Sequence, residues 1–344
     1  MKKILPVVYF VMTMLALYQL LSDLSSQQKP ALAAPSEYPK IVRLDPRFDA
    51  LVPKDAVVEK LADGFSWVEG PVWNRAEKFL LFSDIPNNAV MKWKEGEGVS
   101  LFLKPSGYTG KAPFTGREPG SNGLTFDPKG RLILCEHGDR RIARLEADGQ
   151  KTTLVDRYQG KCINSPNDAI FKSNGDMYFT DPPFGLPGAF DDPGKELDFQ
   201  GVYRLSTDGK LTLLTKDLQA PNGIAFSPDE KILYLSDSGL RRWMAFDVKD
   251  DGAIANGRVL LDAAELNKDK PGVPDGLKVD QHGNVIGGGP GGIYFIAPEG
   301  ALLGMFDFGV ATGNCAFGED GSTLFVTSNT AIYRVRLSTK GAGF

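Results

Sequence analysis

Short apolar runs, separated by turns rich in Gly, Pro, Asn and Asp, recur along most of this chain. Their length and punctuation predict β-strands rather than helices. Six of the runs begin alike, with an acidic or amide residue just ahead of the apolar positions. The copies are "EGPVWN" at Glu69, "SNGLTF" at Asn122, "PNDAIF" at Asn167, "PNGIAF" at Asn222, "PDGLKV" at Asp275 and "GNCAFG" at Asn314. Each runs into a turn such as "DPKG" at 127–130, "KSNG" at 172–175 or "DQHG" at 280–283, and then into a second apolar run. Further strands follow, for example "GVYRL" at 201–205 and "LTLLT" at 211–215. A unit of roughly 40–55 residues with four short strands, repeated six times, predicts an all-β, six-bladed β-propeller. The last copy runs out of chain after three strands. The extended "AVVEKLA" at 56–62 is expected to supply its fourth strand, closing the ring without an exposed edge.

In such a ring the innermost strand of each blade lines a central tunnel, so its first residue stands at the tunnel mouth. Glu69, Asn122, Asn167, Asn222, Asp275 and Asn314 therefore converge on one axis. Asn and Asp also open strands after turns for purely local reasons, but turn chemistry does not favour Glu69. Two carboxylates and several amide oxygens suit a hard cation such as Ca2+. His and Cys are missing from these positions, which argues against zinc as the native ion. Without a cation, Glu69 and Asp275 would meet as like charges.

The rest of the composition narrows the choices. Of 344 residues, 24% are charged and the net charge is −4, with no basic block, so nucleic acid is not an expected partner. Three widely spaced cysteines, Cys135, Cys162 and Cys315, read as small buried residues rather than a disulfide framework. Lys2 and Lys3 precede an apolar stretch from Ile4 to Leu21, and "ALAAPS" follows. Residues 1–33 are read as a secretory signal peptide or an N-terminal membrane anchor, residues 34–55 as a linker, and residues 56–344 as the propeller. Either fate of the N-terminal segment places the folded part outside the cytoplasm, periplasmic or extracellular, free or membrane-anchored.

The chain resembles the regucalcin/gluconolactonase family of six-bladed propellers. The pieces that carry the resemblance are "EGPVW" at 69–73, "SPND" at 165–168, "PNGIAFSPDE" at 221–230 and "PDG" at 274–276, in order from about residue 60 onward. The resemblance implies a divalent-metal site built from Glu69, Asn167, Asn222 and Asp275. It favours Ca2+, with Zn2+, Mg2+ or Mn2+ as alternative occupants. It also implies hydrolysis of a small-molecule sugar lactone, with Asp275 as proton donor and acceptor. The animal regucalcin branch carries an arginine two positions before the second ligand; Ser165 stands there in this chain, so that branch's sugar contacts are not carried over. "CEHG" at 135–138 and "TDPPFG" at 180–185 look closer to bacterial gluconolactonases. The same site could serve an aryl ester or phosphotriester, and a non-catalytic ligand-binding propeller is the alternative of another class.

Around the ring, Asn122, His137 and Asn314 are candidate substrate-binding residues, His137 as an exposed imidazole near the metal. Asp84, Glu136, Asp181 and Asp237 end the second strands on the same face. Asp84 reads as a loop buttress, and Asp181 and Asp237 as either support or function. A serine-hydrolase reading fails, because there is no Gly-x-Ser-x-Gly elbow and only two histidines, of which His282 sits in a turn at the far end. The long segments 104–120 and 182–200 emerge on the mouth face and are candidate covers.

Overall fold

The structure is a computed structural model that describes residues 38–344. The signal-peptide or anchor reading of residues 1–33 lies outside the described residues.

Six antiparallel sheets succeed one another along the chain as the blades of a propeller. The inner strands of blades one to six are Val68–Asn74, Ser121–Phe126, Ala169–Phe171, Pro221–Phe226, Leu277–Val279 and Thr312–Gly318. Blades one to four each take four consecutive strands. Blade six takes its fourth strand from the N-terminal side, where Glu59–Asp63 pairs with Ala331–Arg336. That is the expected closure, shifted slightly from residues 56–62.

Why the second strands read as unbroken apolar runs follows from where their two faces go. Successive side chains of a strand point to opposite faces. In blade one, Leu80 and Phe82 pack with Phe325 and Ile332 of blade six. Their neighbours Phe79 and Leu81 pack with Leu124, Leu132 and Leu134 of blade two. The same parity holds in blade three, where Met177 and Phe179 face blade two and Tyr178 faces blade four. Each blade is thus buried on both faces, as in a sheet packed between layers. The hydrophobic cores lie between blades, leaving the tunnel wall free for polar groups. Cys135 and Cys315 belong to these cores; all three thiols are free, and Cys162 is only partly buried.

The segment read as a linker is structured from Lys40 onward. Lys40–Arg43 pairs with Leu302–Asp307 as a fifth, outermost strand of blade five. The helix Phe48–Leu51 follows and buries Phe48 and Leu51 between blades five and six. The Phe48 ring meets Phe295 edge-on at 5.1 Å. Covering an open sheet edge and burying an aromatic side chain are both favourable, which is why these residues fold onto the ring.

On the face away from the slots, an apolar cavity of about 340 Å3 follows the tunnel, with Val72, Phe126, Ile170 and Phe344 in its wall. Lys278 lines the same cavity and reaches toward the slot ring.

Candidate active site

The six slot residues do converge, and the glycines beside them show how closely. A Cβ added at Gly70 would overlap the carbonyl of Asn122, and one at Gly123 would lie 2.5 Å from the carbonyl of Asn167. A Cβ at Gly223 would overlap the Asp275 carbonyl, one at Gly276 the side chain of Asn314, and one at Gly313 the carboxylate of Glu69. The glycine of every blade but the third therefore backs onto the next blade's slot residue, and blade six returns to Glu69. Strand pairing skips at these points, between Glu69 and Val72, Ser121 and Leu124, Pro221 and Ile224, and Thr312 and Asn314. Such bulges re-aim a side chain out of the ladder. Here they turn the slot side chains toward the axis.

Blade three breaks the pattern, because Asp168 stands where blades one, two, four and five have glycine. Its carboxylate is buried, with Oδ1 accepting the Ala169 N–H at 2.9 Å and Oδ2 lying 3.9 Å from the Lys278 ammonium.

The electrostatics single out two groups. Burial pushes the Glu69 carboxyl up to about 8, and the charges of Asp168 and Glu118 add to the rise. Burial and then the charge of Glu69 push Asp275 up as well. Neither makes an ion pair among the described residues, although Gly70 N–H donates to Glu69 Oε2 and Gly276 N–H to Asp275 Oδ1, each at 3.0 Å. The side-chain amides of Asn122 and Asn167 are buried yet make no hydrogen bond among the described residues. Asn222 donates its Nδ2 to Ser238 Oγ at 3.1 Å, which leaves its Oδ1 for the ring. Among the described residues no group of three or more His, Cys, Asp or Glu is placed to hold a metal. The set here has two carboxylates completed by amides, a donor chemistry that fits a hard, oxygen-seeking divalent cation. Glu69 and Asp275 could hold it with charge, and Asn167 and Asn222 with carbonyl oxygens.

Other positions differ from expectation. Asn314 lies beneath Gly276, and its Oδ1 accepts from Cys315 N–H at 2.9 Å and from the Lys278 ammonium at 3.3 Å. Its side-chain amide offsets part of the rise that burial imposes on the carboxyls of Glu69 and Asp168. His137 is fully buried rather than exposed, with Nδ1 2.8 Å from Glu118 Oε2. Asp84 accepts from Ser66 and Trp67 N–H, and Asp237 from Gln219 and Ala220 N–H, so both fasten the loop that leads into their own blade. Glu136 forms ion pairs at 2.6 Å with Arg141 and with Lys151. Asp181 is buried, accepts from Asn164 N–H at 2.8 Å, and is pushed up to about 7 by burial.

Two site residues were not singled out from the sequence, Lys278 and Glu118, and Asp168 enters that reading only as an alternative base to Asp275. Asp168 and Lys278 left a trace. Asp168 replaces a glycine of the repeat, and Lys278 is the one basic residue among the inner-strand segments "GLTF", "DAIF", "GIAF" and "GLKV". Glu118 left none beyond its place in a long loop.

The family model described as the SMP-30/Gluconolactonase/LRE-like region matches residues 67–330. A gluconolactonase of Zymomonas mobilis is 41% identical over 88% of this chain and 87% of its own length. A pentonolactonase of Haloferax volcanii is 25% identical over 76% of this chain and 80% of its own. Among solved structures, a gluconolactonase of Xanthomonas campestris superposes with a TM-score of 0.75 at 34% identity, covering 87% of this chain and 95% of the other. Fold, repeat and family match coincide over the same residues, and this chain belongs to the SMP-30/gluconolactonase/LRE-like family of six-bladed propellers.

Proposed function

We propose that this propeller is a lactone hydrolase that opens a sugar lactone such as gluconolactone at the slot ring, with a divalent cation, Ca2+ by its donor set, held by Glu69, Asn167, Asn222 and Asp275. The observation that carries this reading is a buried Glu69 carboxylate and a partly buried Asp275 carboxylate on one ring, without a cationic partner from the chain among the described residues, beside the unpartnered side-chain amides of Asn122 and Asn167. The similarity to the Zymomonas gluconolactonase supports the choice of a lactone. When bound, such a cation supplies Lewis acidity to the carbonyl.

The protein's own part is proton handling and placement. Asp275 takes a proton from the water that attacks the lactone carbonyl carbon. It returns that proton to the ring oxygen as the carbon–oxygen bond breaks, so a hydroxy acid leaves and the aspartate is restored. Gly276 N–H fixes one oxygen of Asp275, leaving the other for this exchange. Asn314, whose oxygen accepts from Lys278, offsets part of the rise that burial imposes on Glu69. Export through residues 1–33 would place the activity in the periplasm or outside the cell.

Glu69→Gln tests the ligand set. The amide keeps the shape but removes one of two formal charges, so calorimetric Ca2+ affinity is expected to fall by about tenfold or more. An unchanged affinity would remove Glu69 from the site.

A further inference from the structure

Two or three positions beyond each slot, the inner strands present a second ring to the axis. Val72, Thr125, Ile170, Ala225, Lys278 and Ala316 form it, one from each blade, and all six line the cavity of about 340 Å3 on the far face. The slot ring is made of carboxylates and amides. This one is apolar but for one hydroxyl and one ammonium.

The ammonium of Lys278 is engaged on the slot side. It donates to the Leu277 carbonyl at 3.0 Å and to Asn314 Oδ1 at 3.3 Å, and lies 3.9 Å from Asp168 Oδ2. What Lys278 lends to the cavity is its methylene stem, as long cationic side chains commonly do. The inner end of the cavity is therefore closed and greasy.

The outer end is framed by the segment 340–344. The Lys340 carbonyl accepts from Gln281 N–H at 2.8 Å, Gly341 N–H donates to the Gly321 carbonyl at 3.0 Å, and Ala342 N–H to the Val279 carbonyl at 2.9 Å. Ala342 and Phe344 thereby become part of the wall. Phe344 remains 40% exposed, so the cavity opens to solvent beside it. Arg75 stands at that opening. Its Nη1 donates to the Gly343 carbonyl at 2.9 Å, and its guanidinium lies 3.7 Å from the centre of the Phe344 ring. Arg75 forms no ion pair among the described residues, and burial alone pulls its pKa down. No aspartate or glutamate lines the cavity.

Any ring of inner strands leaves some space on its axis, but the composition of the wall does not follow from that. Water in an apolar pocket lacks partners, and an apolar chain that displaces it gains affinity. Small-molecule sites run from about 300 to 1,000 Å3, with mainly apolar walls and a few polar groups that fix orientation. Here the charges of the wall are all positive, and the one at the opening is free of a counter-ion from the chain. A guanidinium pairs well with a carboxylate.

We propose that the far end of the tunnel is a second binding site, which takes a small amphipathic carboxylate, its alkyl chain in the axial cavity and its head on Arg75. The site shares no residue with the slot ring, so it stands whether or not that ring opens lactones.

The probe is octanoate, titrated calorimetrically into the full chain with and without Ca2+. One molecule is expected to bind with a negative heat-capacity change, the mark of apolar burial. The affinity should be the same in both conditions, because a carboxylate seated on a cation at the slot ring would need the metal. Acetate should bind about a hundredfold more weakly or worse, since it lacks the chain. Arg75→Gln should weaken octanoate by about three- to tenfold, the scale of a partly exposed ion pair. Ala342→Trp, which fills the cavity from its rim, should abolish binding with the melting temperature near that of the wild type. Trp73 lines the same cavity, so 8-bromooctanoate should quench its fluorescence in the wild type, and most of that quenching should vanish in Trp73→Phe. This reads the placement even if Ala342→Trp fails to fold. The proposal is overturned by an absence of octanoate binding, by binding that requires Ca2+, or by quenching that persists in Trp73→Phe. Unchanged affinity in a folded Ala342→Trp or in Arg75→Gln would overturn it equally.

Discussion

Asp275→Asn is expected to lower kcat on gluconolactone by roughly 10²–10⁴-fold, the usual contribution of a general acid–base group, even at saturating Ca2+. The substitution is nearly isosteric. The amide oxygen can still accept the Gly276 N–H that now bonds Asp275 Oδ1 at 3.0 Å. What is lost is the ability to take a proton and one of the two charges at the ring. The saturating condition separates these losses, since weakened ligation would be relieved by more metal and a missing base would not. A variant with near wild-type kcat once the metal is saturating would make Asp275 a ligand only. Asp168 and Asp181, both buried near the mouth, would then be the next groups to test as the base.

The second large effect comes from a residue that carries no chemistry. Gly313 backs directly onto the Glu69 carboxylate, and a methyl group there would occupy the place of Oε1. The carboxylate is the free end of a flexible side chain, so Gly313→Ala should push it aside without breaking the strand. Gly313 is not among the residues with positive φ, so alanine brings no backbone strain. A displacement of about 1 Å in a positioned group can cost about a hundredfold in rate. Lactonase activity at fixed, sub-saturating Ca2+ is expected to fall by about that factor, with the melting temperature nearly unchanged. Gly70→Ala is the contrast. There φ is +51° and the added methyl would meet the Asn122 carbonyl, which belongs to the backbone and cannot yield. That variant should lose stability as well as activity. If Gly313→Ala kept full activity, the placement of Glu69 against blade six would be wrong.

What could be read from sequence was what repeats. The slot pattern depends on a local rule applied six times, a polar residue just ahead of an apolar strand, so the ring was legible in advance, whereas the choice of Glu69, Asn167, Asn222 and Asp275 within it came from the family resemblance. What could not be read depends on contacts between distant segments. Lys40–Arg43 is only four residues long and gains its meaning from the open edge at Leu302–Asp307. The amide of Asn314 is turned inward by Lys278, a residue of the neighbouring blade. His137 is buried because loop 104–120 and Gly185 close over it, and no local feature of "CEHG" announces that. Glu118 sits in an irregular loop whose course is set by Asn88 and Pro119, so its approach to the mouth has no periodicity to reveal it.

The central claim is that the slot ring hydrolyses a lactone with the help of a divalent cation held by Glu69, Asn167, Asn222 and Asp275. The most direct measurement is the rate of D-glucono-1,5-lactone hydrolysis, above its spontaneous rate, by protein stripped with a chelator and then titrated with Ca2+. The account predicts that activity disappears with the metal and returns along the same curve as Ca2+ binding measured by calorimetry. Full activity in the metal-free protein, with no response to Ca2+ or to Zn2+, Mg2+ or Mn2+, would contradict it.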